Sequence, residues 1–190
     1  MINRTKLNPK KAWEIEYLPL CKGAVEPQQA DDYSIGYDLV VPTDVHIPAH
    51  SRFCVPLGFA IGLPICIEGK IEPRSGFSCK GIEGIGKKWG WKCLFGFLPV
   101  YCRRKGNYRF NCDVIVGKID PGYKEEVKVI VKNNDVAFTI PKGTKLAQIT
   151  FYRTRRMTFI KTDEIHGYDR GGGLGHSGSK LKTDENNESK

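Results

Sequence analysis

The chain has 190 residues, 40% of them apolar and 11% aromatic, with 21 glycines and 11 prolines. That length suits one domain with a real core, and the turn-rich composition argues against a disordered chain and against a helical one. A net charge of +9 points to a phosphate-bearing partner (nucleotide, nucleic acid or anionic lipid) or, more plainly, to a surface kept soluble by charge.

The first residues, MINRTKLNPKKAWEIEY, hold no apolar signal core. Seven cysteines make an odd count without any CxxC pair, so a cytoplasmic chain with reduced thiols is expected. The longest apolar run, Leu94 to Cys102, is too short to span a bilayer, and no membrane partner is expected.

Eight runs rich in β-branched and aromatic residues follow one another along the chain. They are Trp13–Leu18, Asp38–Val41, Arg52–Pro56, Phe59–Leu63, Cys66–Ile71, Glu126–Lys132, Val136–Ile140 and Leu146–Tyr152. Gly, Pro, Asn or Asp separates them, the pattern of a sandwich or jelly roll. Val127–Val131 alternates only in part, which predicts one buried and one half-buried face. No stretch shows a 3.6-residue period. From about Glu83 to Cys112 the chain reads as an inserted hairpin or excursion that concentrates Trp89, Trp91, three cysteines and many Lys and Arg. Past Gly171 a glycine-rich strip leads to a polar tail, 179–190, that is expected to be disordered.

Three segments carry candidate chemistry. In Pro73-Arg74-Ser75-Gly76, a guanidinium, a hydroxyl and an approachable backbone can hold phosphate; a plain turn has similar weight. In Ile119-Asp120-Pro121-Gly122-Tyr123, the carboxylate can serve as a general base and the ring can pack under a sugar. Taken singly, a turn aspartate and a core tyrosine are the better readings. In Arg170-Gly171-Gly172-Gly173-Leu174-Gly175-His176-Ser177-Gly178, backbone amides can wrap phosphates, or the strip can be a linker.

With Gly36-Tyr37-Asp38-Leu39 and Gly143-Thr144-Lys145-Leu146-Ala147-Gln148, these segments resemble the five motifs of the trimeric dUTPase family, in order, from about Trp13 to Ser179. The resemblance implies an all-β, jelly-roll-like domain over 1–178, interrupted by an insertion at 83–112. It implies a homotrimer with sites at subunit interfaces. It also implies Mg²⁺-assisted hydrolysis of dUTP to dUMP and diphosphate, which supplies dUMP and keeps uracil out of DNA.

Carried over by resemblance, Asp120 would activate the attacking water and Tyr123 would pack on deoxyribose. A hairpin around Val114, Lys118 and Ile119 would read uracil, largely through main-chain groups. Arg74, Ser75, Gly76 and Gln148 would hold phosphates, and Lys128 would add a contact. Asp38 would anchor Mg²⁺ through water. Arg170, Leu174, Gly175, His176 and Ser177 would close over the nucleotide.

Three departures bear on base recognition. Leu174 stands where the family carries a stacking phenylalanine, Glu125 replaces a glycine, and the insertion enters ahead of the uracil-reading segment. Two rivals are weighed. A dCTP deaminase of the same fold needs a carboxylate on the strand after the turn, and Val127–Val131 has none. A binding protein could act through the 83–112 insertion on a protein or nucleic acid, since its aromatics interleave with Lys and Arg. Zinc at Cys93, Cys102 and Cys112 is disfavoured by wide spacing and the lack of a nearby histidine.

Overall fold

The computed structural model describes residues 14–169 and 171. Two units divide at Arg156. The described residues of the second unit form no helix or strand. Among the described residues, no helix is long and apolar enough to cross a membrane.

The first unit is built almost wholly of strands. In chain order they are β1 (Glu16–Pro19), β2 (Gln28–Gln29), β3 (Tyr37–Val40), β4 (Val45–Ile47), β5 (Arg52–Pro56), β6 (Phe59–Gly62) and β7 (Ile67–Pro73). A short helix, α1 (Ser75–Lys80), follows. Then come β8 (Ile82–Leu94), β9 (Leu98–Phe110), β10 (Cys112–Ile115), β11 (Gly117–Ile119), β12 (Lys128–Asn133), β13 (Phe138–Ile140) and β14 (Lys145–Arg153). Each of the eight expected runs holds a strand, although Trp13 itself lies outside the described residues.

Among the described residues every strand pairing is antiparallel, as expected of a jelly-roll-like fold whose strands are joined by turns and corners. The largest body sheet runs β11-β7-β14-β3-β2, and a second runs β10-β12-β5. Leu39, Val55, Val129, Val131, Leu146 and Ile149 are buried together as part of one apolar core. Each such side chain contributes about 1.5–3 kcal/mol by leaving water. In β12, Val129 and Val131 are buried, Ile130 is half-buried and Lys128 is exposed, the mixed pattern that the partial alternation predicts.

The 83–112 excursion is a long hairpin of β8 and β9, paired from Ile82↔Phe110 to Leu94↔Leu98. Its root belongs to the core. Phe110 stacks on Phe138 at 4.1 Å and 4°; the Phe138 ring lies against Gly84 and the Phe110 ring against Gly86. A Cβ on Gly86 would meet the Phe110 ring at 2.5 Å. Gly86→Ala is therefore expected to cost about 1–3 kcal/mol through overpacking, read as a lowered midpoint in denaturant. An unchanged midpoint would mean that the stack yields freely.

Beyond Gly86, β8 and β9 pair only with each other among the described residues. The run from Gly86 to Leu94 makes a free arm of about 27 Å at strand rise. Lys88 clamps its base. The Lys88 Nζ donates to the Arg109 carbonyl at 2.8 Å and to Asp135 Oδ2 at 2.7 Å, and lies 4.6 Å over the Phe110 ring. Burial pushes the Asp135 carboxyl up, but the Lys88 bond and the amides of Val136 and Asn111 outweigh it and hold the group below its usual range.

Candidate functional site

Strand register brings distant motifs to one place. Gln148 on β14 pairs with Asp38 on β3 and with Glu72 on β7. Next along β7, Pro73 hands the chain to Arg74, which is extended (φ −77°, ψ 140°) and precedes α1 without a side-chain cap. The first-turn amides of a helix have no acceptor within it, so Ser75 and Gly76 present donors as well as polar and unhindered surfaces. Gly36 lets the Gln148 amide pack close: a Cβ there would come 2.7 Å from Gln148 Oε1 and push that side chain aside.

The Arg74 guanidinium is aimed by three contacts. Its Nε lies 3.0 Å from Asp38 Oδ1, its Nη1 donates to the Lys145 carbonyl at 3.3 Å, and it sits 5.9 Å over the Phe77 ring. Gln148 Nε2 donates weakly to the Pro73 carbonyl at 3.4 Å. Asp38 is buried, with Lys145 Nζ 2.8 Å from its Oδ2. That contact is an ion pair outside hydrogen-bonding direction, so Oδ2 has no hydrogen-bond partner among the described residues. A cleft of about 500 Å³ opens here, lined by Asp38, Arg74, Ser75, Gly76 and Gln148. Lys80 and Arg109 add positive charge to its wall.

Among the described residues, Asp38 is the one carboxylate lining that cleft. Among them, too, no three His, Cys, Asp or Glu side chains converge as a metal cage. A lone carboxylate whose two oxygens already face Arg74 and Lys145 is no direct ligand set for Mg²⁺; it fits only an ion held by water and phosphate oxygens, with the protein in the outer shell.

A second cluster forms at the turn after β11. Tyr123 N donates to the Asp120 carbonyl at 3.0 Å, which closes a turn with Pro121 at its first corner. The Tyr123 hydroxyl donates to the Glu126 carbonyl at 2.7 Å and fixes the half-buried ring. Asp120 is exposed on the same turn. Lys118, Ile119, Tyr123 and Lys128 line a pocket of about 250 Å³ with Ile115 and Ile130. Lys118 Nζ also pairs with Glu68 at 2.7 Å.

The expected hairpin around Val114 to Ile119 is corrected. β10 pairs with β12 and β11 pairs with β7, in different sheets, with the single residue Val116 between them. One linking residue cannot form a two-residue hairpin turn, so the chain switches sheets instead. Both strands lie at sheet edges, which leaves outward main-chain groups for a ligand. The Val114 side chain is buried in the core, so only its backbone is placed for contact.

The two clusters are far apart within one chain. Ile119 pairs with Gly69, and the extended run from Gly69 to Arg74 covers about 17 Å. Asp120 lies beyond Ile119, farther still from Arg74. Arg170, Leu174, Gly175, His176 and Ser177 lie outside the described residues.

Lys145 and Lys80 carry no site assignment from the sequence, and Arg109 reads there only as one of the insertion's interleaved cations. Lys145 stands inside a quoted motif, where its alternation with Leu146 marks it as surface-facing. Lys80 closes α1 and carries no signal of its own. Arg109 is drawn to the cleft only because Glu83↔Arg109 pair at the arm's root, where the two side chains form an ion pair. Cys112 is inert for chemistry: burial, helped by the Asp113 carboxylate, pushes its thiol up to about 12.

Comparison with known proteins agrees with this arrangement. The dUTPase family model matches residues 23–92 and 90–178. A deoxyuridine 5'-triphosphate nucleotidohydrolase of Tropheryma whipplei (strain Twist) is 31% identical over 155 residues, 80% of this chain and 87% of that protein. The protein of the same name from Paramecium bursaria Chlorella virus 1 is 27% identical over 81% of this chain and 89% of its own length. In structure, the Staphylococcus bacteriophage 80alpha dUTPase with dUPNHPP is similar at a TM-score of 0.68 and 17% identity, over 87% of this chain and 98% of that one. A mutant dUTPase from phage phi11 of S. aureus, which coordinates a structural Mg(II) ion, is similar at a TM-score of 0.63 and 17% identity, over 81% of this chain and 99% of that one. A family match over most of the chain, spanning the segments that build the cleft and the Tyr123 turn, means that this chain belongs to the dUTPase family.

Proposed function

We propose that this chain is a dUTP diphosphatase whose complete site forms between copies of itself. The observation that carries the reading is the Asp38–Arg74–Gln148 cleft, a cationic phosphate receptor built by strand register, with a separate carboxylate-and-tyrosine turn beyond reach of it in the same chain. Joining the two requires a second subunit, and a homotrimer with heterologous contacts supplies one at every site.

In this reading Arg74, Ser75 and Gly76 hold the phosphates, and Gln148 assists. Asp120 orients a water molecule and takes its proton as the oxygen bonds to the α-phosphorus. The bond from that phosphorus to the bridging oxygen breaks, and diphosphate leaves with the electron pair. Mg²⁺, when bound with the nucleotide and steadied through water by Asp38, would neutralise phosphate charge. Lys128 lies beside the nucleoside pocket. The edges of β10 and β11, at Val114, Lys118 and Ile119, offer main-chain groups to the base. The roles given to Arg170, Leu174, Gly175, His176 and Ser177 as a closing segment rest on the family resemblance alone.

The test is diphosphate release from dUTP with Mg²⁺, beside dCTP, UTP and dTTP. Intact dUTP would sink the reading, and ammonia from dCTP would move the chain to the deaminase rival. Tyr123→Ala is expected to raise the use of UTP relative to dUTP, because a fixed ring against the sugar excludes a 2′-hydroxyl. An unchanged dUTP/UTP ratio of kcat/KM would remove Tyr123 from that role.

A further inference from the structure

The β8–β9 arm carries side chains in zones. Around its turn, Leu94, Phe95, Phe97 and Leu98 are all exposed, and Phe95 and Phe97 are 80% and 79% so. From Cys93 to Cys102 there is no charged residue. Further back, Trp91 pairs with Tyr101, about 10 Å from the Leu94↔Leu98 pair at strand rise. Trp89 lies beyond, stacked on Tyr101 at 5.5 Å and 16°. Then come the pairs Lys88↔Arg104 and Lys87↔Lys105. Across Ile82–Phe110 seven Lys and Arg face a single acidic residue, Glu83.

Behind the apolar tip, Lys92 (opposite Val100) and Arg103 (opposite Trp89) interleave with the aromatic side chains before Lys88↔Arg104 and Lys87↔Lys105 follow. An apolar end is thus backed by a mixed aromatic and basic zone, as at a membrane interface. Apolar groups enter the boundary of headgroups and acyl chains to about 5–10 Å, Trp and Tyr lie at headgroup depth, and Lys and Arg meet anionic lipid. The turn adds a second observation. Phe95 has φ 54° beside Gly96 at 79°, so an exposed phenylalanine holds a left-handed position that glycine or asparagine would fill without strain. A strained residue that is also exposed and apolar points to a contact that uses it.

We propose that the arm docks this chain on an anionic bilayer surface, with Leu94–Leu98 in the interface and Lys87, Lys92, Arg103, Arg104 and Lys105 at the headgroups. Lys88 is excluded because Asp135 engages it. Leu94–Cys102 is too short to span a bilayer but long enough to enter its face. The unpaired outer edges of a two-stranded hairpin keep the insertion shallow, since they need water or lipid esters.

Single-stranded nucleic acid fits less well. Tyr101 already stacks on Trp89 at 5.5 Å and meets Trp91 at 5.2 Å and 53°, and the apolar tip has no cation to meet phosphate. Arm-to-arm contact between copies would set like charges together.

The test uses the full chain with phosphatidylcholine vesicles, with and without phosphatidylserine. Co-sedimentation and a blue shift of tryptophan emission are expected only with phosphatidylserine, and added salt should weaken both. Phe95→Ser with Phe97→Ser should reduce vesicle binding about tenfold or more, with an unchanged thermal melt. Lys92→Glu with Arg103→Glu should abolish the preference for phosphatidylserine. Four results would overturn the proposal. They are no co-sedimentation, unchanged binding by the tip variant, tip-dependent self-association without vesicles, and capture of a single-stranded oligonucleotide in place of vesicles.

Discussion

Asp120→Asn is expected to bind dUTP normally and to hydrolyse it about 10²–10⁴ times more slowly, the usual contribution of a positioned general base. The change keeps side-chain size and removes the proton acceptor. Asp120 is exposed, and its carbonyl, not its carboxylate, closes the turn with Tyr123 N at 3.0 Å. The fold should therefore not register the substitution. Nucleotide binding by calorimetry and turnover by diphosphate release separate the two effects. Retained turnover would take Asp120 out of the chemistry, whereas lost binding would make it a ligand-holding group.

Mixing two inactive variants should restore activity. Arg74→Ala removes the guanidinium aimed into the cleft and leaves Asp38 paired with Lys145 alone. Truncating one partner of a part-buried charge pair is expected to cost about 10²–10³-fold in kcat/KM. If each site takes its Arg74 cluster from one subunit and its Asp120 turn from another, random reassortment with Asp120→Asn leaves about one site in four with both groups intact. If one chain supplied both clusters, mixing would restore nothing. The activity recovered after unfolding and refolding the two variants together decides between these outcomes.

Body strands such as Arg52–Pro56 and Leu146–Tyr152 were legible because β-branched and aromatic residues run between turn residues, whereas β8 and β9, the longest strands, were not, because glycines and charges break their apolar pattern. The strands β2, β4, β10 and β11 span two to four residues and sit in no longer run of β-branched or aromatic residues bounded by turns, unlike the equally short β3 and β13. Helix α1 escaped for a related reason: its six residues bury no side chain, so no apolar stripe marks it. At the site, resemblance grouped Asp38, Arg74 and Gln148, but pairing across β7, β14 and β3 is what sets them side by side. Such register depends on tertiary packing, as does the route that brings Arg109 to a cleft shared with Arg74. The expected hairpin at Val114–Ile119 failed because turn residues do not reveal which sheet each neighbouring strand will join.

The arm also works as a graft port. Its two strands leave and re-enter the body side by side at Ile82↔Phe110, and Gly86 pairs with Gly106 where contact with β13 ends. A chain that turned back just beyond the Lys88↔Arg104 pair would keep both the Phe110–Phe138 stack and the Lys88–Asp135 pair, so residues 89–103 can be exchanged as a cassette while the body's path stays the same. Because side chains alternate in facing along a strand, a cassette one pair longer or shorter would present its tip rotated to the opposite side. Arm length, in steps of a single pair, thus sets which way this protein points whatever it carries there.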